Sequence, residues 1–201
     1  MEEENETEDF RWNEYVAWQG SSQAMMDEAS KRNCGCFNEG GNGMEIGIIV
    51  HSQTGHTLLV GERLREKLQS GGHEVRLMRI QNFENEDAKN PTDVQLDSLP
   101  DTKGYDALIF GAWVQGFTLC PGFIKYAEQL PDLGQTPVSC FLTQQFRYKW
   151  MGGNRAISKM KTSLEAKGAV VKSTAIINWS HKKREQQIEE LAERFSGQYK
   201  V

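Results

Sequence analysis

The stretch IGIIVHSQTGHTLLVGERLREKL, Ile46 to Leu68, decides the fold. An apolar run, Ile46 to Val50, stops at His51. The next six residues, Ser52-Gln53-Thr54-Gly55-His56-Thr57, set three hydroxyls around one glycine. A helical pattern starts at once, with Leu64 and Leu68 one turn apart and Gly71-Gly72 as its stop. A strand that turns through small polar residues into a helix is the opening of a βαβ unit. At such a junction backbone N–H groups point outward and the helix dipole favours negative charge. Ser52, Thr54 and Thr57 add hydroxyl donors, and Gly55 lets the backbone come close. No Lys follows the glycine, so this is not a nucleotide-triphosphate loop. A monophosphate held by hydroxyls and amides is the better fit. The plainer alternative is a hydroxyl-rich turn that only caps the helix.

Outward from this stretch the same alternation repeats. Short apolar runs stand at Met44–Val50, Ala107–Gly111, Val138–Leu142 and Ala169–Ile177, with a weaker one at His73–Ile80. Helical patterns lie near 56–70, 121–129, 154–167 and 181–196. The last has Ser180 as its expected N-cap and Ile188, Leu191 and Phe195 at helical spacing. Strands that alternate with helices imply right-handed crossovers and a parallel sheet. Runs 1, 3 and 4 are almost wholly apolar, as strands covered on both faces should be. Run 2 (HEVRLMRI) alternates with charge, and run 5 carries Lys172, Ser173 and Thr174, so these two belong at the edges. The expected fold class is α/β, a doubly wound five-stranded parallel sheet in the order 2-1-3-4-5. Residues 81–104 are polar and hold Pro91 and Pro100, which predicts mostly loop with at most a short helix.

The remainder is a different kind of sequence. Of the 201 residues, 1–43 hold three basic and ten acidic side chains, while 44–201 hold twenty basic and eighteen acidic. The acidity belongs to an N-terminal extension, 1–43, read as short helices and a Gly-rich linker ahead of the domain at 44–201. Trp12, Tyr15 and Trp18 in that extension require a cover, from the body of the chain or from a second copy in a homodimer. The first twenty residues are acidic rather than basic-then-apolar, and no apolar stretch is long enough to span a bilayer. A cytoplasmic, reduced protein is the expectation. Cys34-Gly35-Cys36 is half of a zinc or iron–sulfur set with no further ligand nearby in sequence, so free linker thiols and no metal are the reading. Cys120, before Pro121 at a helix start, is a candidate acidic thiol or a packed one. The run His181-Lys182-Lys183-Arg184 lacks interleaved aromatics and reads as a solvated helix face, not a nucleic-acid site.

SQTGHT resembles the S/T-x-T-G-x-T phosphate loop of the flavodoxins, which holds the 5′-phosphate of FMN. YDALIFGAW resembles their third strand, VSCFLTQQF their fourth, and GGNRAISKMKTSLEAKGA the helix after it. The resemblance spans roughly residues 44–197. It implies FMN as cofactor, with Ser52, Gln53, Thr54, Gly55, His56 and Thr57 at the phosphate. Ala112, Trp113, Val114, Gln115, Gly116 and Phe117 would form one wall of the ring site. Thr143, Gln144, Gln145, Phe146, Arg147 and Tyr148 would form the other. Trp113 is the first candidate to stack on the flavin and Phe117 the second. No Ser or Thr follows Gly111 closely, and the second wall carries Arg147 and Lys149 where the family is often acidic.

Two functions follow from the resemblance. One is an FMN-dependent oxidoreductase that takes electrons from NAD(P)H and reduces a quinone or another small-molecule acceptor. The other is an electron carrier that docks on a redox partner protein. A carrier of this family is acidic around the flavin edge, which steers it to basic partners. A nearly neutral body with Arg147 and Lys149 in a ring loop favours the enzyme.

Overall fold

A computed structural model describes residues 43–83 and 90–199; the acidic extension, with Cys34 and Cys36, lies outside the described residues. Strand β1 (Glu45–His51) leads into helix α1 (His56–Ser70), then β2 (Glu74–Phe83) and a short strand β3 (Gln95–Ser98). Next come β4 (Ala107–Gln115), β5 (Thr118–Leu119) and α2 (Pro121–Gln129). The chain closes with β6 (Pro137–Gln144), α3 (Gly153–Glu165), β7 (Val170–Asn178) and α4 (Arg184–Gln198).

The parallel strands lie in the order β2-β1-β4-β6-β7, so the five apolar runs take the order 2-1-3-4-5 expected from their burial. The register sets Ile48 between Leu77 and Ile109, and Trp113 beside Thr143. Side chains alternate across the sheet, as strand geometry requires. Ile46, Ile48 and Val50 with Ala107 and Ile109 face Leu64 and Leu68 of α1 and Ile188, Leu191 and Phe195 of α4. Ile49, Leu108, Phe110 and Ala112 face Phe123 and Tyr126 of α2 and Ala156, Met160 and Leu164 of α3. Gly111 is dictated by this packing: a Cβ there would lie 2.3 Å from the Phe141 ring.

Three features differ from the sequence reading. First, 81–104 holds the short helix that was expected, a 3₁₀ turn at Pro91–Asp93, but it also holds strand where only loop was expected. β2 runs on to Phe83, and β3 returns antiparallel along its end. An edge strand offers unpaired main-chain groups, and pairing them needs no apolar pattern. Second, β5 turns back on β4 through Gly116 (φ 53°) and Phe117 (φ 63°), a pair of left-handed residues typical of tight hairpins. Third, α4 starts at Arg184 rather than after Ser180. The Ser180 hydroxyl accepts a bond from Gln145 Nε2 at 2.9 Å, and His181 Nδ1 accepts the Lys183 amide at 3.0 Å, which holds 180–183 as a turn.

The C-terminal end is tied to the sheet interior. Ser139, fully buried on β6, donates to Gln198 Oε1 at 3.1 Å and sits 2.8 Å from the Tyr199 hydroxyl. Among the described residues no helix is long and apolar enough to cross a membrane.

Candidate functional site

The hydroxyl-rich loop sits where β1 gives way to α1. Gly55 has φ 84°, a conformation that side chains resist, and no side chain caps the helix it opens. The first helical bond runs from the Leu59 amide to the Gly55 carbonyl, so the amides of the first turn are left for a ligand or for water. Two anchors hold the loop. Arg79 on β2 donates to the Ser52 carbonyl at 2.7 Å. Thr57, buried at 1% exposure, places Oγ1 2.8 Å from Oγ1 of Thr143 at the end of β6.

The three segments singled out in sequence converge at this edge. A cavity of about 190 Å³ is lined by Gln53, Thr54, His56, Thr57, Trp113, Val114, Thr143, Gln144 and Gln145. A second, of about 230 Å³, adjoins Ser52, His51, Arg79, Gln81 and Asp97, and the two share Gln53 and Trp113. Ala112 is fully buried in the core and offers the site only its backbone. Gln115, Gly116 and Phe117 form the hairpin, and Phe146, Arg147 and Tyr148 stand exposed on the loop after β6.

Among the described residues, three buried side-chain polar atoms lack a hydrogen-bond partner: Ser52 Oγ, Trp113 Nε1 and Gln144 Oε1. Such atoms are rare in folded chains because each costs about 1–3 kcal/mol. All three belong to the strand ends that meet here, one on each segment. Gln144 is otherwise well anchored: its Nε2 lies 2.7 Å from Asn178 Oδ1, 2.8 Å from the Tyr148 carbonyl and 3.2 Å from that of Phe146. It shapes the β6 loop and leaves its own carbonyl oxygen unmatched.

The tips of the two expected ring walls touch. Phe117 stacks on Phe146 at 5.1 Å between centroids and 8° between planes, and both rings are exposed. Tyr148 stacks on Trp150 further along the same loop. Arg147 shares this exposed loop. Lys149 instead lines a separate groove between α3, β7 and α4, so its charge serves a different surface from the cavities above.

Sequence reasoning missed several partners. Trp179, just after β7, stacks on His56 at 3.8 Å, and Arg184 lies 4.6 Å from the same indole. Burial, then the Arg184 charge, holds the His56 imidazolium below the usual histidine range. The signal was available, because in doubly wound sheets every strand's C-terminal end points toward the ligand crevice. Cys120 corrects the acidic-thiol option. It is fully buried, with Sγ 3.2 Å from His51 Nδ1, and burial pushes the thiol up to about 11. Desolvation outweighs the helix N-terminus here.

No protein-family model matches the chain, and no curated protein matches it. Solved structures do. A cysteine-to-serine variant of the flavodoxin from Pseudomonas aeruginosa is 15% identical with a TM-score of 0.58, over 79% of this chain and 100% of that one. Oxidised flavodoxin 2 from Bacillus cereus is 17% identical with a TM-score of 0.56, over 77% and 99%. A Lactobacillus acidophilus flavoprotein solved in complex with FMN is 14% identical with a TM-score of 0.53, over 73% and 97%. The chain has the flavodoxin-like fold; at these identities the likeness is one of fold.

Proposed function

We propose that this protein binds FMN along the C-terminal edge of its sheet and works as an oxidoreductase between a reduced nicotinamide and a quinone or other small acceptor. The observation that carries the cofactor is the set of unpartnered buried atoms on Ser52, Trp113 and Gln144, one from each converging segment. They suit a ligand with a phosphate at one end and a heterocycle of donors and acceptors at the other. FMN bound there would supply one- and two-electron transfer. The uncapped first turn of α1 and the hydroxyls of Ser52, Thr54 and Thr57 hold the phosphate. Thr143 orients the Thr57 hydroxyl from below. Trp113 Nε1 donates at the ring edge, and Gln144, whose Oε1 packs against Gly153, fixes the β6 loop beside it. Phe117 and Phe146 supply flat apolar faces, though a ring between them needs about 7 Å, twice a stacking contact, against their present 5.1 Å.

Charge supports the enzyme over the carrier. The chain from 44 on has twenty basic and eighteen acidic residues, and Arg147 stands on the ring loop. A cation at that edge stabilises added negative charge and attracts an anionic donor. The test is anaerobic rapid mixing of the FMN-loaded protein with NADH and with NADPH. Bleaching of the flavin by either, at a rate that saturates with donor, is the expected result. Bleaching by dithionite but by neither nucleotide moves the assignment to an electron carrier.

A further inference from the structure

The basic run His181-Lys182-Lys183-Arg184 plays no part in the function above, yet the fold delivers it to the phosphate loop. Trp179 donates its amide to the Gln144 carbonyl at 2.8 Å, and Ser180 is bonded to Gln145, so the turn after β7 is fastened to the β6 loop. From that turn the Trp179 indole stacks on His56 at 3.8 Å and 18°. Arg184, the first residue of α4, rests its guanidinium 4.6 Å from the same ring. Three flat groups on three elements thus form one column, with His56 and Arg184 both against the Trp179 ring, and the guanidinium at its end also donates from Nε to Glu185 Oε1 at 2.8 Å on the exposed surface.

We propose that this column is the cationic part of the phosphate site, in which Trp179 presents Arg184 beside the loop and His56 meets the ligand. The ligand class is a phosphomonoester dianion, selected over the same molecule lacking its phosphate. The inference rests on the FMN reading. Ser52 to Thr57 contains no Lys or Arg, so the loop itself offers hydroxyls, amides and the His56 ring. A helix N-terminus supplies only about half a positive charge against two negative ones. A guanidinium held on an indole is presented at small entropic cost, and its charge never titrates near neutrality.

His56 adds a second response. The charged groups on its side are Arg184 with its ion-pair partner Glu185 and, in the preceding turn, Lys182, Lys183 and the titratable His181; the β4 and β6 residues lining the cavity are uncharged. Burial and Arg184 therefore keep the imidazole neutral near pH 7 in the free protein. An arriving dianion reverses that field, so binding draws a proton onto the ring.

The experiment titrates FMN and riboflavin into flavin-free protein, wild type and Arg184→Gln, Arg184→Lys and Trp179→Phe. Arg184→Gln should weaken FMN about tenfold and leave riboflavin within about twofold. Arg184→Lys should recover part of the loss, and Trp179→Phe should act in the same direction as Arg184→Gln. Calorimetry in two buffers of different ionisation heat should show proton uptake with FMN, absent in His56→Asn. Equal losses for both flavins, no loss for either, or wild-type riboflavin binding as tight as FMN overturns the column while leaving the cofactor in place. Wild-type protein that binds neither flavin overturns the FMN reading itself.

Discussion

Replacing Thr57 by Val keeps the shape of a buried side chain and removes one hydroxyl. In the free protein that hydroxyl is 2.8 Å from Thr143 Oγ1, and both residues are almost fully buried. The change leaves Thr143 without its partner, a cost of about 1–3 kcal/mol in stability. It also removes a donor to the ligand phosphate. A hydrogen bond to a charged group contributes about 1.5–3 kcal/mol, or roughly 10- to 150-fold in FMN affinity. The double change Thr57→Val with Thr143→Val separates the two effects. With both partners apolar, stability should return to within ~1 kcal/mol of wild type, while FMN stays weak. Urea unfolding of flavin-free protein reads the first quantity, and FMN fluorescence quenching reads the second. Thr57→Val protein that binds FMN as wild type does would refute the reasoning, because the hydroxyl would then only fasten α1 to β6.

Gly111→Ala places a methyl 2.3 Å from the Phe141 ring, so the urea midpoint should fall by the equivalent of about 1–3 kcal/mol; an unchanged midpoint would mean β6 yields freely. Cys120, at about 11, is roughly one-thousandth thiolate at pH 8. Peptide mapping after iodoacetamide treatment should therefore find Cys120 and the equally buried Cys140 modified only in urea, and labelling of native Cys120 would contradict the packing. His56, held below the usual histidine value by burial and Arg184, binds its proton more readily in the unfolded chain. Stability of the free protein should accordingly decline as pH falls below about 6.5, with a shallower decline in His56→Asn; identical pH profiles would show that His56 does not contribute.

The elements legible in sequence were those whose own residues bury apolar surface. Ile46, Ile48 and Val50 announce a strand, Leu64 and Leu68 a helix face, and both stand where expected. Strand order was legible for the same reason, since Lys172 marks a strand with no neighbour on one side, and Arg76 and Arg79 mark the part of β2 that β3 does not reach. β3 was not legible, because Gln95–Ser98 joins the sheet through main-chain bonds that its composition does not advertise. The cap at Ser180 failed on a side-chain competition: Gln145 claims the hydroxyl that a helix amide was expected to use. At the candidate site the motif pointed to the phosphate loop, which is local in sequence. Trp179 and Arg184 reach it across the sheet, and only tertiary structure supplies that proximity. Lys149 illustrates the converse, since a residue adjacent in sequence to Tyr148 lines another groove altogether.

The bond between Ser139 and Tyr199 joins residues separated by sixty positions, and its consequence is temporal. Synthesis proceeds from the amino end at about 5–20 residues per second. β6 lies inside the sheet between β4 and β7, yet the Tyr199 hydroxyl beside Ser139 is made only after α4, which shares one face of the sheet with α1 and supplies Ile188, Leu191 and Phe195 to it. Until α4 emerges from the ribosome, a nascent chain carries a nearly complete sheet with the part of one face that α1 does not reach left bare. It is then a fit client for chaperones that grip apolar surface, until α4 docks.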